Sequence, residues 1–445
     1  MRAKTLNMTE GSPVRLLIVF AIPMLIGNLF QQFYNLVDSV VVGKYVGAEA
    51  LAAVGATGSV SFLFFALCNG LGSGGGIITA KQFGAGNEDE VKRTIVNSGY
   101  ILFLGSLVVG LIAFLLAEPL LRFMSTPENI LQGAVLYMKM QCLGLPLVAL
   151  YNHSSSMLRA LGDSKSPLYF LIFACLLNIG LDVWFVYGFD MGIFGAALAT
   201  IISQLTAGIS CFLYAIRFNP YFKMEKKHFK PIMSIVWETI RLGIPLSLQF
   251  ALVALSCMAL QRVVNSYGSV VVAAFTAADR VEQLLHQPYG TLSAALATYS
   301  GQNLGAGKMD RIKQGFKKSL VMMVIFTVIM VPIMQFGGEW IVSLFVDDPE
   351  VISYGAAALK ITSLFYIFLG TINMARGILN GVGDAVFALI NGVVEVAGRV
   401  IFPVILVAIP MIGVWGIWWS AGLVWLFSAL SCILRYISWR KKMFG

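Results

Sequence analysis

Gln31, Asn35 and Asp38 stand at i, i+4 and i+7, a spacing that puts all three on one face of a helix. A second carboxylate sits in similar company. Asn178 and Asp182 are four apart, and Thr200 is followed one turn later by Ser203 and Gln204. All lie inside runs that are otherwise apolar, where ionisable groups are costly and therefore candidates for function. Two acids in one apolar region would be expected to share a proton or a cation. Proton or alkali-cation binding is thus the chemistry this set could do. The competing reading is interhelical hydrogen bonding, at about 0.6 kcal/mol per contact. It suits Asn178 and Thr200 equally well and suits two carboxylates badly.

The second half of the chain is built differently. Asp279, Arg280, Glu282, Gln283 and His286 are close together, and Asn391, Glu395 and Arg399 stand at i, i+4 and i+8. Glu395 and Arg399 are ordered for an intrahelical ion pair. Asp279 with Arg280, or Glu282 with Arg399, could neutralise further charge, so a structural ion-pair network is as good a reading here as a functional one. His286 is either a proton carrier or an interior polar group. His153 and His228 give no metal-ligand spacing. Gly70–Gly75 satisfies GxGxxG, but no strand precedes it, and close helix packing explains the glycines better than a dinucleotide. No HExxH, GxSxG or Walker lysine is present. The six cysteines lie in apolar segments without CxxC spacing and read as small packing residues.

The elements that must carry these residues follow from composition. Over 445 residues, only 12% are charged and 58% are hydrophobic, with 44 glycines besides. That is about half the charge of a soluble domain, so soluble enzymes are excluded. Apolar runs without barrel-type alternation can cross a bilayer only as helices. Twelve spans are expected, near 14–42, 48–82, 94–122, 128–158, 167–188, 191–217, 236–265, 269–302, 314–344, 350–378, 386–408 and 412–436. The first shows no signal-peptide cleavage pattern and is expected to persist as a helix. The net charge of +9 forms no nucleic-acid patch. With the amino terminus in the cytoplasm, all lysines and arginines except Lys44, Arg122, Lys139, Arg262, Arg280, Lys360 and Arg399 fall on inward connections, so both termini are expected inside. Asp38, Asp182 and Thr200 then lie in the outer half of the bilayer and can converge if the first, fifth and sixth spans are neighbours.

An internal repeat sets the architecture. Shifting the chain by 221 residues brings Gly84-Ala85-Gly86 onto Gly305-Ala306-Gly307, Lys139 onto Lys360, Asn152 onto Asn373 and Gly162-Asp163 onto Gly383-Asp384. Six spans per half mean that both halves enter the membrane in the same direction. The expected fold is all-α and polytopic: two parallel six-helix repeats around a central cleft, comprising residues 1–221 and 222–445 and joined by a lysine-rich loop.

Gly84-Ala85-Gly86, Gln302-Asn303-Leu304-Gly305-Ala306-Gly307, Arg280-Val281-Glu282-Gln283, Asn35-Leu36-Val37-Asp38-Ser39 and Arg159-Ala160-Leu161-Gly162-Asp163 together resemble the multidrug and toxic compound extrusion (MATE) transporters, over nearly the whole chain. The resemblance implies a cation-coupled efflux antiporter of the bacterial inner membrane working by alternating access. Asp38, Asn178, Asp182 and Thr200 would form a first-half cation site like that of the DinF-like and related branches. The coupling ion would be H⁺ or Na⁺, with no other cofactor or metal. The acid that the NorM-like branch carries in the seventh span is absent, since Ser247-Leu248-Gln249-Phe250 occupies that region. Substrates would be small organic molecules, cationic or amphipathic, taken up by a monomer in the lipid bilayer without nucleic acid. Cleft candidates are Gln31, Tyr34, Asn35, Asn152, Met157, Gln249, Glu282 and His286, with Phe33, Phe62, Phe65, Phe250 and Met258 supplying apolar surface. A lipid-linked precursor flippase of the same superfold is the alternative. A membrane-embedded hydrolase would need a nucleophile–base or metal constellation that three scattered histidines do not supply.

Overall fold

The computed structural model describes residues 5–124 and 126–444; Arg2 and Lys4, counted above for topology, and the side chain of Met258 lie outside it. The chain is helical throughout, with no strand among the described residues. The α-helices are α1 Pro13–Val41, α2 Ala48–Gly84, α3 Glu88–Phe123, α4 Glu128–Ala160, α5 Lys165–Asp182, α6 Gly192–Phe218, α7 Met233–Asn265, α8 Ser269–Gly305, α9 Met309–Ser343, α10 Pro349–Ser363, α11 Tyr366–Gly381, α12 Ala385–Val407 and α13 Gly416–Phe444. All twelve expected spans are occupied by helix. The tenth is broken into α10 and α11, which meet at 54°. Among the described residues, ten helices are long and apolar enough to cross a membrane, or eleven with the bent pair counted as one. α8 is equally long but carries Asp279, Arg280, Glu282, Gln283, His286 and Gln287 along its middle.

Element boundaries recur at the spacing of the sequence repeat. α2, α3 and α4 begin at 48, 88 and 128, and α8, α9 and α10 at 269, 309 and 349. The turns recur too: Gly86 and Gly307 adopt φ of 74° and 68°, and Gly162 and Gly383 adopt 88° and 86°. Only glycine takes these values without strain, so each turn pins its half to the same register.

Packing divides the chain differently from the repeat. One compact unit holds Met1–Met8 and Ile22–Ser247, the other Thr9–Ala21 and Leu248–Gly445. The boundary expected at 221/222 falls in the connecting loop, whereas α1 and α7 are each shared out between the units. The segment leading into α1 is tied into the second unit, where Lys308 Nζ donates to the Thr9 carbonyl and Arg311 Nη2 to the Gly11 carbonyl, both at 3.0 Å. The start of α7 belongs to the first unit: Ser247 Oγ donates to the Leu67 carbonyl at 2.8 Å. A Cβ on Gly74 would come within 2.7 Å of the Gly243 nitrogen. The glycine run in α2 therefore serves close helix packing.

Within the first unit, one core joins α2, α3 and α4 through Val60, Phe64, Leu102, Leu121, Leu131 and Met138. A second joins α3 to α6 through Ile95, Tyr151, Leu158, Leu171 and Ala207. All six cysteines are free thiols, and all but Cys257 are buried.

Candidate functional site

α1 and α5 both end in a π-helical turn, Val42–Val46 and Val183–Gly188 respectively. Val41, Val42 and Val186 share one small core with Ala50 and Ala196, and the rings of Tyr45 and Tyr187 meet at 5.1 Å. The two helix ends are thus held side by side. Such widened turns add a residue to the ladder and are frequent at functional sites. Asp182 is the last residue before its π turn, and Asp38 lies four residues before the other.

This arrangement brings the sequence-predicted acids together. The Asp38 and Asp182 carboxyls lie within hydrogen-bonding reach of each other, at 8% and 0% exposure. Asn178 Nδ2 points to Thr200 Oγ1 at 3.5 Å, and Thr200 in turn donates to the Ala196 carbonyl at 3.1 Å. Asp38 Oδ1, both carboxyl oxygens of Asp182, and Asn178 Oδ1 are buried with no hydrogen-bond partner among the described residues. Four buried acceptors without a donor are costly. A proton between the carboxyls, or a cation coordinated by them, would satisfy them. Tyr34, one turn before Asp38, reaches Gln204 and lies beside the pair. So does Tyr137 of α4, next to Gln141. Sequence reasoning missed Tyr137: a tyrosine in an apolar helix carries no signal that separates a site wall from core.

Of the cleft candidates in the first unit, Gln31 and Asn35 are exposed, and Tyr34 and Asn152 are partly buried. Met157 is a correction. It is fully buried, and its sulfur accepts from Thr79 Oγ1 at 3.2 Å, so its flexible side chain fills core space. In the second unit Gln249 is buried, and a Cβ on Gly392 of α12 would lie 3.3 Å from its Cγ. Glu282 and His286 are partly buried, with Glu282 Oε1 and His286 Nε2 unpartnered.

The second-unit charge network also differs from expectation. Glu395 does not pair with Arg399 along α12. It accepts from Arg376 Nη2 of α11 at 2.7 Å, while Arg376 Nε donates to Asn391 Oδ1 at 2.6 Å and Ser428 Oγ donates to Glu395 at 3.3 Å. Arg399 turns instead to Ser256 Oγ at 2.7 Å. Asp279 accepts from Gln283 at 2.7 Å rather than from Arg280. The neighbouring helix offers Glu395 a fixed guanidinium fork, and a fork from another helix outcompetes the i+4 partner. No cluster of three or more His, Cys, Asp or Glu able to hold a metal ion occurs among the described residues.

Comparison with known proteins adds independent information. The MatE family profile matches residues 23–184 and again 245–405. The probable multidrug resistance protein YpnP of Bacillus subtilis is 30% identical over 98% of both chains. The multidrug export protein MepA of Staphylococcus haemolyticus is 26% identical over 92% of this chain and 90% of its own. A crystal structure of MATE in the bent conformation superposes with a TM-score of 0.91 at 24% identity, covering 100% of this chain and 99% of that one.

Proposed function

Because the chain belongs to the MatE family of multi-pass membrane transporters, we propose that it is a multidrug exporter of the bacterial plasma membrane, exchanging small organic substrates for H⁺ or Na⁺ by alternating access. The names of its relatives support drug export. The observation that carries cation coupling is the pair of buried carboxyls, Asp38 and Asp182, facing each other without a donor. A proton would serve as the missing donor between them. Sodium would use the carboxyl oxygens together with Asn178 Oδ1 and Thr200 Oγ1, approaching the roughly six oxygens that hard cations take. Either ion cancels one of the pair's two negative charges, and substrate release would follow from that change. Cationic or amphipathic organic molecules are the expected substrates, handled by a monomer with both termini cytoplasmic. A flippase for phosphate-linked lipids is the weaker reading, because the names of the relatives describe multidrug resistance and drug export.

The test is drug transport in proteoliposomes with a pH gradient and a sodium gradient imposed separately. One gradient should drive transport of an organic cation, and Asp182→Asn should lose that response. Transport indifferent to both gradients, or a response that survives Asp182→Asn, would remove the Asp38–Asp182 pair from the coupling role.

A further inference from the structure

The first unit contains a second recess, distant in composition from the aspartate pair. It encloses about 460 Å³, within the range of sites that take drug-sized molecules. Its walls are mostly aliphatic and aromatic residues of α3, α4 and α6, among them Phe103 and Ile216, with the buried His153 the polar exception, and it is closed at one end by Phe222, Met224 and Phe229 of the loop after α6. Phe103, Ile216 and Phe229 are 52%, 40% and 51% exposed. The recess therefore opens on the side where α3 also shows Leu104, Leu107 and Leu111. In a membrane protein that side faces acyl chains.

The loop that closes the recess is fixed in place. Tyr100 donates through its hydroxyl to the Phe229 carbonyl at 3.0 Å. The Ile232 amide donates to Asn97 Oδ1 at 2.8 Å, and the buried His228 ring meets Asp89 at 3.1 Å. Along this loop, wall residues alternate with cations: Phe222 is followed by Lys223, Met224 by Lys226, and Phe229 by Lys230. Nearby acids are already matched. Asp89 and Glu225 take Lys227, Glu88 takes Lys92 and Glu90 takes Arg93. Lys223, Lys226 and Lys230 are exposed and have no ion-pair partner among the described residues.

We propose that this recess is a binding site for an anionic phospholipid, one acyl chain lying against Phe103 and Ile216 and the phosphate resting on Lys223, Lys226 and Lys230. An apolar slot entered from the bilayer, closed by a loop that carries surplus positive charge, matches an anionic amphipath. A cationic drug would be repelled by the same loop. Each lysine near an anionic headgroup contributes a roughly fivefold gain in affinity, and three together on the order of a hundredfold.

The experiment uses the delipidated full-length protein and native mass spectrometry, with phosphatidylglycerol and phosphatidylcholine of matched chains as probes. Phosphatidylglycerol should be retained selectively. The triple variant Lys223→Gln/Lys226→Gln/Lys230→Gln should bind it no better than phosphatidylcholine. Ile216→Trp, which fills the slot from an already exposed position, should weaken retention at least tenfold with the lysines intact. Equal retention of both lipids, undiminished binding by the triple variant, or undiminished binding by Ile216→Trp would each overturn the site. Displacement of the lipid by tetraphenylphosphonium would also overturn it, assigning the recess to drugs.

Discussion

Glu395 of the second unit and the Asp38–Asp182 pair of the first are buried in opposite ways. In the second, Glu395 is enclosed with its own cation, Arg376, and with Asn391 and Ser428 filling the remaining hydrogen-bond positions. Asp384 likewise accepts from Arg435 at 2.6 Å. In the first, Asp38 and Asp182 face each other, and among the described residues no cationic side chain stands among the partners of either carboxyl. A buried acid matched within the protein is complete when folding ends. A buried pair of acids without a cation is complete only when something arrives from outside. Under the proposed function, the contrast separates a structural use of charge from a transport use within a single pseudo-repeated chain, and Glu282, with Oε1 unpartnered, is a second-unit residue that departs from it.

The strongest way to break the contrast is to neutralise one acid of the first unit. Asp38→Asn removes the charge at nearly constant volume and should bring drug resistance down to that of cells lacking the protein, with yield and helical content unchanged. If Glu282→Gln has that effect and Asp38→Asn does not, the coupling role belongs to the second unit. The next largest effect concerns stability. Glu395→Leu strands Arg376 in a buried setting and should cost about 3–5 kcal/mol, read as a lower unfolding temperature in detergent. Adding Arg376→Leu should return most of that loss, because an apolar pair of similar volume replaces the ion pair without leaving a lone charge. A failure of the double variant to recover would show that the network does more than neutralise itself. The smallest expected change is at Thr200→Val, which deletes the hydroxyl that faces Asn178. Loss of one interhelical hydrogen bond of about 0.6 kcal/mol predicts a roughly threefold weaker response to the coupling ion. A far larger change would mark Thr200 as a direct ligand of that ion.

Much of this was legible before any coordinates. Apolar runs long enough to cross hydrocarbon can only be helices, so the spans, the repeat spacing and the face shared by Asn35 and Asp38 follow from periodicity alone. The meeting of Asp38 with Asp182 was legible because acids in apolar helices are rare enough that two at similar depth point to each other. What periodicity cannot supply is the choice among partners on different helices. It paired Glu395 with Arg399 by the i+4 rule, while Arg376, read as a loop cation of topology, supplies the guanidinium. Met157 lies five residues after polar Asn152, on a different face of α4, and turns inward to Thr79. The break between α10 and α11 and the two π turns also leave no composition signal, since none of them coincides with an internal proline or a charged pair.

The shared helices α1 and α7 have a consequence for how the chain can be divided. Each unit is finished by a segment belonging to the opposite half of the sequence, Thr9–Ala21 in one case and Met233–Ser247 in the other. Cutting the polypeptide in the loop near 221 would give two fragments, the first lacking the α7 segment that packs on Gly70 and Gly74. Neither should mature alone, yet co-expression should restore a working protein, because each supplies what the other lacks.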